Sequence, residues 1–524
     1  MKPDVMVMRC GLLALLLAVV PTVRADEGRA TRAEVDAVFD QVVARYRLPG
    51  LALGIVEDGK VVYARTAGEL VEGEGRRIDS ATLFKIASNT KSMTTATLAR
   101  LVDAGKLHWD DPVVRWLPDF RMYDPWVGRE MQVRDLLIHN SGLRAGAGDL
   151  MLWPEPNTFT RADIIHGLGY LKPQRSFRAG YDYDNLLYIV AGEVAAAAGG
   201  APYEQLVRRE VFEPLGMRRC QVGQWRRDEI GNVAQPHMRQ GDRNIPVRSD
   251  GDVIAATTMD PAGGIRCSLD DMLAWVGNWL KPVGEGKGEK PWLSREQREA
   301  LWAPQMPMPL SRRMREWDNS HFSAYGYGWR LADVDGTFKV SHTGTLMGMY
   351  SMVTLLPDKR TGFVILINGE GEQARTVLGQ VLVKRYTRPD PSLTVAHYAD
   401  LLAQEDAKRP ATEKAPDTSK RKAVKPGELE SRLGVYRDPW FGEVSLCRDG
   451  DAARLRASKS PMLTGIVQRV GKRMLVNWDD DSVDAEAWLD FPQGTQMRMS
   501  KVDPDADFSY DFEDLAFERV RGCD

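Results

Sequence analysis

The chain is poor in the residues and patterns that many chemistries require. Its seven histidines are scattered and no His-Glu-x-x-His occurs, which disfavours a zinc hydrolase. Five cysteines in 524 residues are too few for a disulfide scaffold. Neither charge sign dominates: 70 basic residues face 73 acidic ones, a formal net of -3. No global basic field therefore exists to hold a nucleic-acid backbone. The apolar run Gly11 to Val20 falls well short of the ~20 residues that cross a bilayer as a helix. No Gly-x-Ser-x-Gly elbow is present, Val247-Arg-Ser249-Asp-Gly251 being the nearest miss. Two glycine patterns fail on context. Gly54-Ile-Val-Glu-Asp-Gly59-Lys60 has Val61 where a magnesium-binding hydroxyl would stand, and strand residues follow it. Gly369-Glu-Gly371-Glu-Gln-Ala374 has no second parallel strand with a ribose-binding acid behind it.

With 43% hydrophobic and 27% charged residues, the chain can build one large core and a smaller one. Lys2 and Arg9 precede the apolar run, and Pro21 and Val23-Arg24-Ala25 follow it. Residues 1–25 thus read as a secretory signal peptide with cleavage expected after Ala25. The mature chain is expected to be periplasmic or secreted, without a stable membrane span. There Cys220, Cys267, Cys447 and Cys523 meet an oxidising compartment. The residues alone leave two readings, disulfides or isolated buried thiols.

Thr31-Arg-Ala-Glu34 is a capping box, followed by Val35, Val38, Phe39, Val42 and Tyr46 at helical spacing. Leu51–Glu57 and Lys60–Arg65, joined by Asp58-Gly59, predict a hairpin with a type I′ turn. A helix is expected over 88–104, then a mostly helical middle with helices near 132–138, 160–171, 185–198, 202–213 and 268–280. Strand character returns at Tyr325–Leu331, Phe338–Ser341, Met349–Leu356 and Phe363–Ile367, before a helix near 372–386. The fold class is mixed α/β: an antiparallel sheet assembled from both ends of the chain, flanked by helices, with an inserted helical region. The domains read as 26–403, a charged Pro/Lys/Ala-rich linker over 404–428, and a small all-β domain over 429–524. In that tail Glu443–Leu446, Met474–Trp478 and Phe508-Ser-Tyr510-Asp-Phe512 cluster apolar residues between turns.

Three patterns carry chemistry. The first is Ser88-Asn-Thr-Lys91 at the start of a helix. Residues three apart share a helix face, so an amine can reach its neighbour's hydroxyl. A desolvated lysine loses its proton readily and can activate a serine, and the helix start brings N–H groups to an oxyanion. A second copy, Ser419-Lys-Arg-Lys422, sits among charges in the linker, where nothing desolvates it. The second pattern is Tyr183-Asp-Asn185 ahead of an apolar helix: a phenol that a nearby cation pushes toward phenolate, and an amide to orient a substrate carbonyl. The third is His342-Thr343-Gly344-Thr345 on a strand. Glycine there lets a substrate backbone lie alongside, and the Thr345 N–H is a second oxyanion donor.

In this order the three patterns resemble the penicillin-recognising serine hydrolases: class C β-lactamases, D-alanyl-D-alanine carboxypeptidases, D-aminopeptidases and esterases. Leu136-Leu-Ile-His-Asn-Ser-Gly-Leu143, Pro261-Ala-Gly-Gly264 and Tyr325-Gly-Tyr-Gly-Trp329 add to the likeness. The resemblance implies Ser88 as the acylated nucleophile and Lys91 with Tyr183 as the general base and acid pair. It further implies Asn185 as the substrate-amide ligand, His342, Thr343 and Gly344 as the substrate-facing strand, and the N–H groups of Ser88 and Thr345 as the oxyanion hole. No metal or organic cofactor is implied. Histidine replaces the lysine usual in lactamases and is only partly charged near neutrality. Hydrolysis of a D-amino-acid peptide, or a related amide or ester, is therefore favoured over β-lactam turnover. A class C-type lactamase and a penicillin- or peptidoglycan-binding sensor that never turns over are the alternatives. Tyr436-Arg-Asp-Pro-Trp-Phe-Gly442 and Asp507-Phe-Ser-Tyr-Asp-Phe-Glu-Asp-Leu515 resemble lipocalin-like barrels appended to such hydrolases. The tail could cap a neighbouring active site in a homo-oligomer, bind a ligand, or only solubilise. Within-domain pairing, Cys220 with Cys267 and Cys447 with Cys523, is the expected disulfide pattern.

Overall fold

Capped by Thr31, whose hydroxyl accepts from the Glu34 N–H, helix α1 (Arg32–Tyr46) leads into strands β1 (Gly50–Glu57) and β2 (Lys60–Gly68). This computed structural model describes residues 31–281, 291–408 and 415–523; the expected signal peptide lies outside the described residues. Asp58 and Gly59 both take positive φ, 49° and 75°, as a type I′ hairpin turn requires. Every residue of β1 is buried, because both faces of the sheet are covered. Leu51, Leu53 and Ile55 meet α1 and helix α5 (Glu372–Thr387), while Ala52 and Val56 belong to the opposite core with helix α4 (Leu269–Leu280).

The remaining strands of this sheet are β3 (Met306–Pro307), β4 (Ser323–Tyr325), β5 (Arg330–Val334), β6 (Thr337–Leu346), β7 (Met349–Leu356) and β8 (Thr361–Ile367). Their order is β2-β1-β8-β7-β6-β5-β4-β3, antiparallel at every pairing. Strands from the two ends of the chain thus meet where β1 pairs with β8. Helices α2 (Thr90–Asp103) and α3 (Leu186–Gly199) anchor the helical region inserted between them. The single strand expected over Tyr325–Leu331 is two strands. Gly328, at φ 76°, breaks it, and a Cβ there would press on the Lys91 carbonyl and the Thr95 side chain. That turn therefore packs directly on α2.

Strands β9 (Gly434–Asp438), β10 (Gly442–Asp449), β11 (Ala452–Ala457), β12 (Thr464–Val470), β13 (Arg473–Trp478), β14 (Ala487–Asp490), β15 (Gln496–Lys501) and β16 (Phe517–Arg521) pair consecutively. Pairing of β16 with β9 closes an eight-stranded barrel. Both within-domain disulfides are present, Cys220–Cys267 and Cys447–Cys523. The charged stretch over 404–428 is structured at both its ends. A helix anchored by Val395, Tyr398, Ala399 and Leu402 continues to Ala407, and Lys422–Ala423 already pairs with β12. Phe508–Phe512, grouped above with the strand-forming runs, lies in the loop between β15 and β16: Phe512 stacks on Trp478 of β13, while Phe508 reaches into the hydrolase domain. Phe508 packs so closely on Gly146 that a Cβ at Gly146 would overlap it. Phe159 and Phe441 meet at 5.5 Å between ring centroids, and the Thr158 N–H donates to the Lys459 carbonyl at 2.8 Å. No single described helix is long and apolar enough to cross a membrane.

Candidate active site

Ser88 lies in a tight turn, Ala87–Asn89, at the head of α2. Ala87 has φ 48°, a left-handed conformation that costs a residue with a side chain ~1–3 kcal/mol unless its surroundings hold it. They do. The Ser351 hydroxyl donates to the Ile86 carbonyl at 2.6 Å, and Asn89 Nδ2 donates to Ser351 Oγ at 2.7 Å. Gly344 lets β6 press against this turn, since a Cβ there would overlap the Ile86 carbonyl and Ser351.

Lys91, one helical turn on, is fully buried. Its Nζ lies 3.2 Å from Ser88 Oγ, 2.7 Å from Asn185 Oδ1 and 3.0 Å from the Ala262 carbonyl. Burial pulls its pKa down to about 7; the carboxyl groups of Asp149 and Asp184 oppose this and the Arg330 guanidinium adds to it. Near neutrality a large share of Lys91 is free amine, next to a hydroxyl. Tyr183 stands beside both, its ring 4.9 Å from Lys91 Nζ and its hydroxyl interacting with Ser88. The expectation of a phenolate is corrected here. Burial pushes Tyr183 up to about 12, outweighing the hydrogen bond with Ser88 and the charge of Arg330. The phenol therefore stays protonated near neutrality, burial being the larger effect.

Asn185 joins Lys91 to a buried carboxyl group. Its Oδ1 accepts from Lys91 and its Nδ2 donates to Asp149 Oδ2 at 2.8 Å. Thr343 and Thr345 line the same cleft of roughly 320 Å³ as Ser88, Tyr183 and Asn185. His342 does not: it points into the interior, 1% exposed. Its Nδ1 is 2.7 Å from the Thr343 carbonyl, an acceptor, so Nδ1 carries the proton, and Nε2 takes a hydrogen bond from the Tyr325 hydroxyl at 2.8 Å. Burial drives its pKa well below the usual histidine value. The ring is therefore neutral, with both nitrogens engaged inside the protein rather than facing the cleft.

Other residues complete the site, and two of them, Arg330 and Arg375, had no signal of their own in the sequence. Arg330, the first residue of β5, pairs across from Ser341 and lines the cleft. Among the described residues it forms no ion pair; the rings of Tyr183 and Tyr325 lie 5.8 and 6.0 Å from its Cζ, and its Nε is buried without a partner. His139, at φ 58°, accepts the Asp184 N–H at Nδ1 and packs 4.4 Å from the Tyr183 ring. Arg375 Nη1 donates to the Gly344 carbonyl at 2.7 Å and to Thr345 Oγ1 at 2.9 Å. The barrel closes the cleft: Asp484, Asp507, Phe508, Ser509 and Tyr510 line it, and Phe508 meets Tyr183 edge to face at 5.9 Å. The tail thus covers the cleft of its own chain. Among the described residues no group of three His, Cys, Asp or Glu side chains could hold a metal ion.

The chain is similar to several known proteins. Unguisins hydrolase ungD' of Aspergillus campestris is 24% identical over 388 residues, 71% of this chain and 67% of that protein. Esterase EstB of Burkholderia gladioli is 33% identical over 217 residues, 38% of this chain and 54% of that protein. The solved octameric penicillin-binding protein homologue from Pyrococcus abyssi shares the fold at a TM-score of 0.54 and 20% identity, over 89% of this chain and 97% of its own. The family model described as Beta-lactamase matches residues 35–384. The chain belongs to the beta-lactamase family of serine hydrolases, with a closed eight-stranded barrel added at its C-terminal end.

Proposed function

We propose that the protein is an exported serine hydrolase that forms an acyl-enzyme at Ser88 on D-amino-acid-containing peptides or related amides and esters. The observation that carries this reading is the buried Lys91 amine, pushed to about 7 and 3.2 Å from the Ser88 hydroxyl. Lys91 takes the hydroxyl proton as Ser88 Oγ attacks the carbonyl carbon. The resulting oxyanion faces the N–H groups of Ser88 and Thr345. The protonated Tyr183 delivers a proton to the departing amine or alkoxide as the carbon–heteroatom bond breaks, and is resupplied from Lys91. Water then attacks the ester, giving the acid and restoring Ser88.

The substrate's charge follows from Arg330. A half-buried cation with no anion among the described residues is underserved, and its setting in the Ser88 cleft favours substrates that bring a carboxylate. It supplies the positive charge that the neutral His342 cannot. Export rests on the N-terminal pattern and agrees with two disulfides in the folded chain. The test is a panel of D- and L-aminoacyl anilides, D-Ala-D-Ala peptides, short esters and nitrocefin, with fluorophosphonate labelling of the parent and Ser88→Ala. Labelling and turnover are expected to vanish in Ser88→Ala. Unchanged labelling would remove Ser88 from its role, and rapid nitrocefin turnover would move the substrate class to β-lactams.

A further inference from the structure

The barrel does more than wall the cleft. Its β15–β16 loop enters the hydrolase domain and ends on the short turn Asp149–Met151. The Asp511 carboxyl group, fully buried, accepts the Gly148 N–H at 2.6 Å and the Leu150 N–H at 2.9 Å, clamping the backbone on both sides of Asp149. Two residues earlier, the Ser509 hydroxyl donates to Asp149 Oδ2 at 2.8 Å. That oxygen also receives Asn185 Nδ2, and Asn185 Oδ1 in turn receives Lys91 Nζ. A continuous chain of hydrogen bonds therefore runs from the barrel to the amine beside Ser88.

We propose that Ser509 is a positioning residue of the hydrolase site, acting through Asp149 to hold Asn185 with its carbonyl oxygen toward Lys91. The inference rests on the function proposed for Ser88 and Lys91. An amide can turn over, exchanging its oxygen and nitrogen at little cost in shape. Turned, Asn185 would present N–H groups to Lys91, a donor against a donor. What prevents this is an acceptor fixed at Nδ2, and Asp149 Oδ2 is that acceptor. Its other oxygen, Oδ1, is buried without a partner, so Ser509 and Asn185 are what orient this carboxyl group. The sequence hides the relation, because Ser509 and Asp149 are 360 positions apart.

The electrostatics give a readout that packing alone would not move. Burial, then the neighbouring Asp511, raise Asp149 well above the usual carboxylate range, while the hydrogen bonds from Asn185 and Ser509 hold it down and Asp184 adds to the rise. Asp511 is itself raised to about 8 by burial and Asp514 against Arg144. Lys91 is faced by Asp149, Asp184 and Arg330, and its charge also acts on His139 and His342; Tyr183 lies beside it. Losing the Ser509 hydroxyl frees the Asp149 carboxyl group and with it Asn185, whose carbonyl oxygen then no longer holds the ammonium form of Lys91. Lys91 then gives up its proton at lower pH.

The experiment is the pH dependence of Ser88 acylation by a fluorophosphonate probe, with full-length parent, Ser88→Ala, Ser509→Ala and Ser509→Thr. Ser509→Ala is expected to lower the plateau rate about 10-fold, the scale of one lost hydrogen bond to a charged network, and to move the acid limb to lower pH. Ser509→Thr, which keeps the hydroxyl, is expected to restore both. The limb does not depend on the fraction of folded protein, so an unmoved limb in Ser509→Ala overturns the proposal whatever the plateau. Labelling that persists in Ser88→Ala overturns instead the reading of the site on which it rests.

Discussion

At the scale of single residues, the site works by leaving charges underserved. Lys91 has three polar neighbours and no carboxylate in direct contact, which is why its ammonium form is weak. The consequence is a pH limb. The free amine is populated above about 7, so Ser88 acylation should fall as pH drops through about 7, measured as labelling rate against pH. Arg330 contributes twice. Arg330→Gln should raise KM for a carboxylate-bearing substrate about 10- to 100-fold, the range of a charge-assisted hydrogen bond, and leave KM for a neutral short ester nearly unchanged. Removing that cation should also raise the Lys91 pKa and move the acid limb to higher pH.

At the scale of elements, two backbone segments are pressed together at a point where neither has room for a side chain. The Ala87 turn is held in its left-handed conformation by β6 and β7, through Gly344 and Ser351. Gly344→Ala should push β6 off the turn. Overpacking of this kind costs ~1–3 kcal/mol, read as a lower Tm, and Ser88 labelling should fall more than the folded fraction does. Glycine in a His-Thr-Gly pattern was legible, but as room for a substrate. In the structure its demonstrable role is room for the Ile86 carbonyl. His342 shows the same limit: its chemistry was plain from the sequence, yet strand alternation and the Tyr325 partner turn it inward.

At the scale of the whole molecule, the barrel packs on the hydrolase domain and lines the Ser88 cleft. Salt bridges from Arg144 to Asp514 at 2.9 Å and from Lys459 to Asp163 at 2.6 Å join them, as do Ser509 and Asp511. The Cys447–Cys523 bridge ties β10 to the segment after β16, closing a separation of 76 residues. A loop of that length gives ~4 kcal/mol by chain entropy. Cys447→Ser with Cys523→Ser should therefore lower the denaturant midpoint of the barrel. The cleft should loosen at the same midpoint, followed by Ser88 labelling in denaturant.

Local pattern was enough to announce the hairpin, the helices that carry Ser88 and follow Asn185, the ends of the sheet and the presence of a small β domain. Capping, turn chemistry and hydrophobic period act within a few residues. Motif spacing likewise named Ser88, Lys91, Tyr183 and Asn185, which the fold brings to one cleft. What no short window contains is which charge goes unpaired, which way a strand residue faces and what covers the cleft. Arg330, the inward turn of His342, the protonated Tyr183 and the hold of Ser509 on Asp149 arise from burial and from contacts between distant segments. Desolvation and long-range packing exist only once the chain has closed on itself.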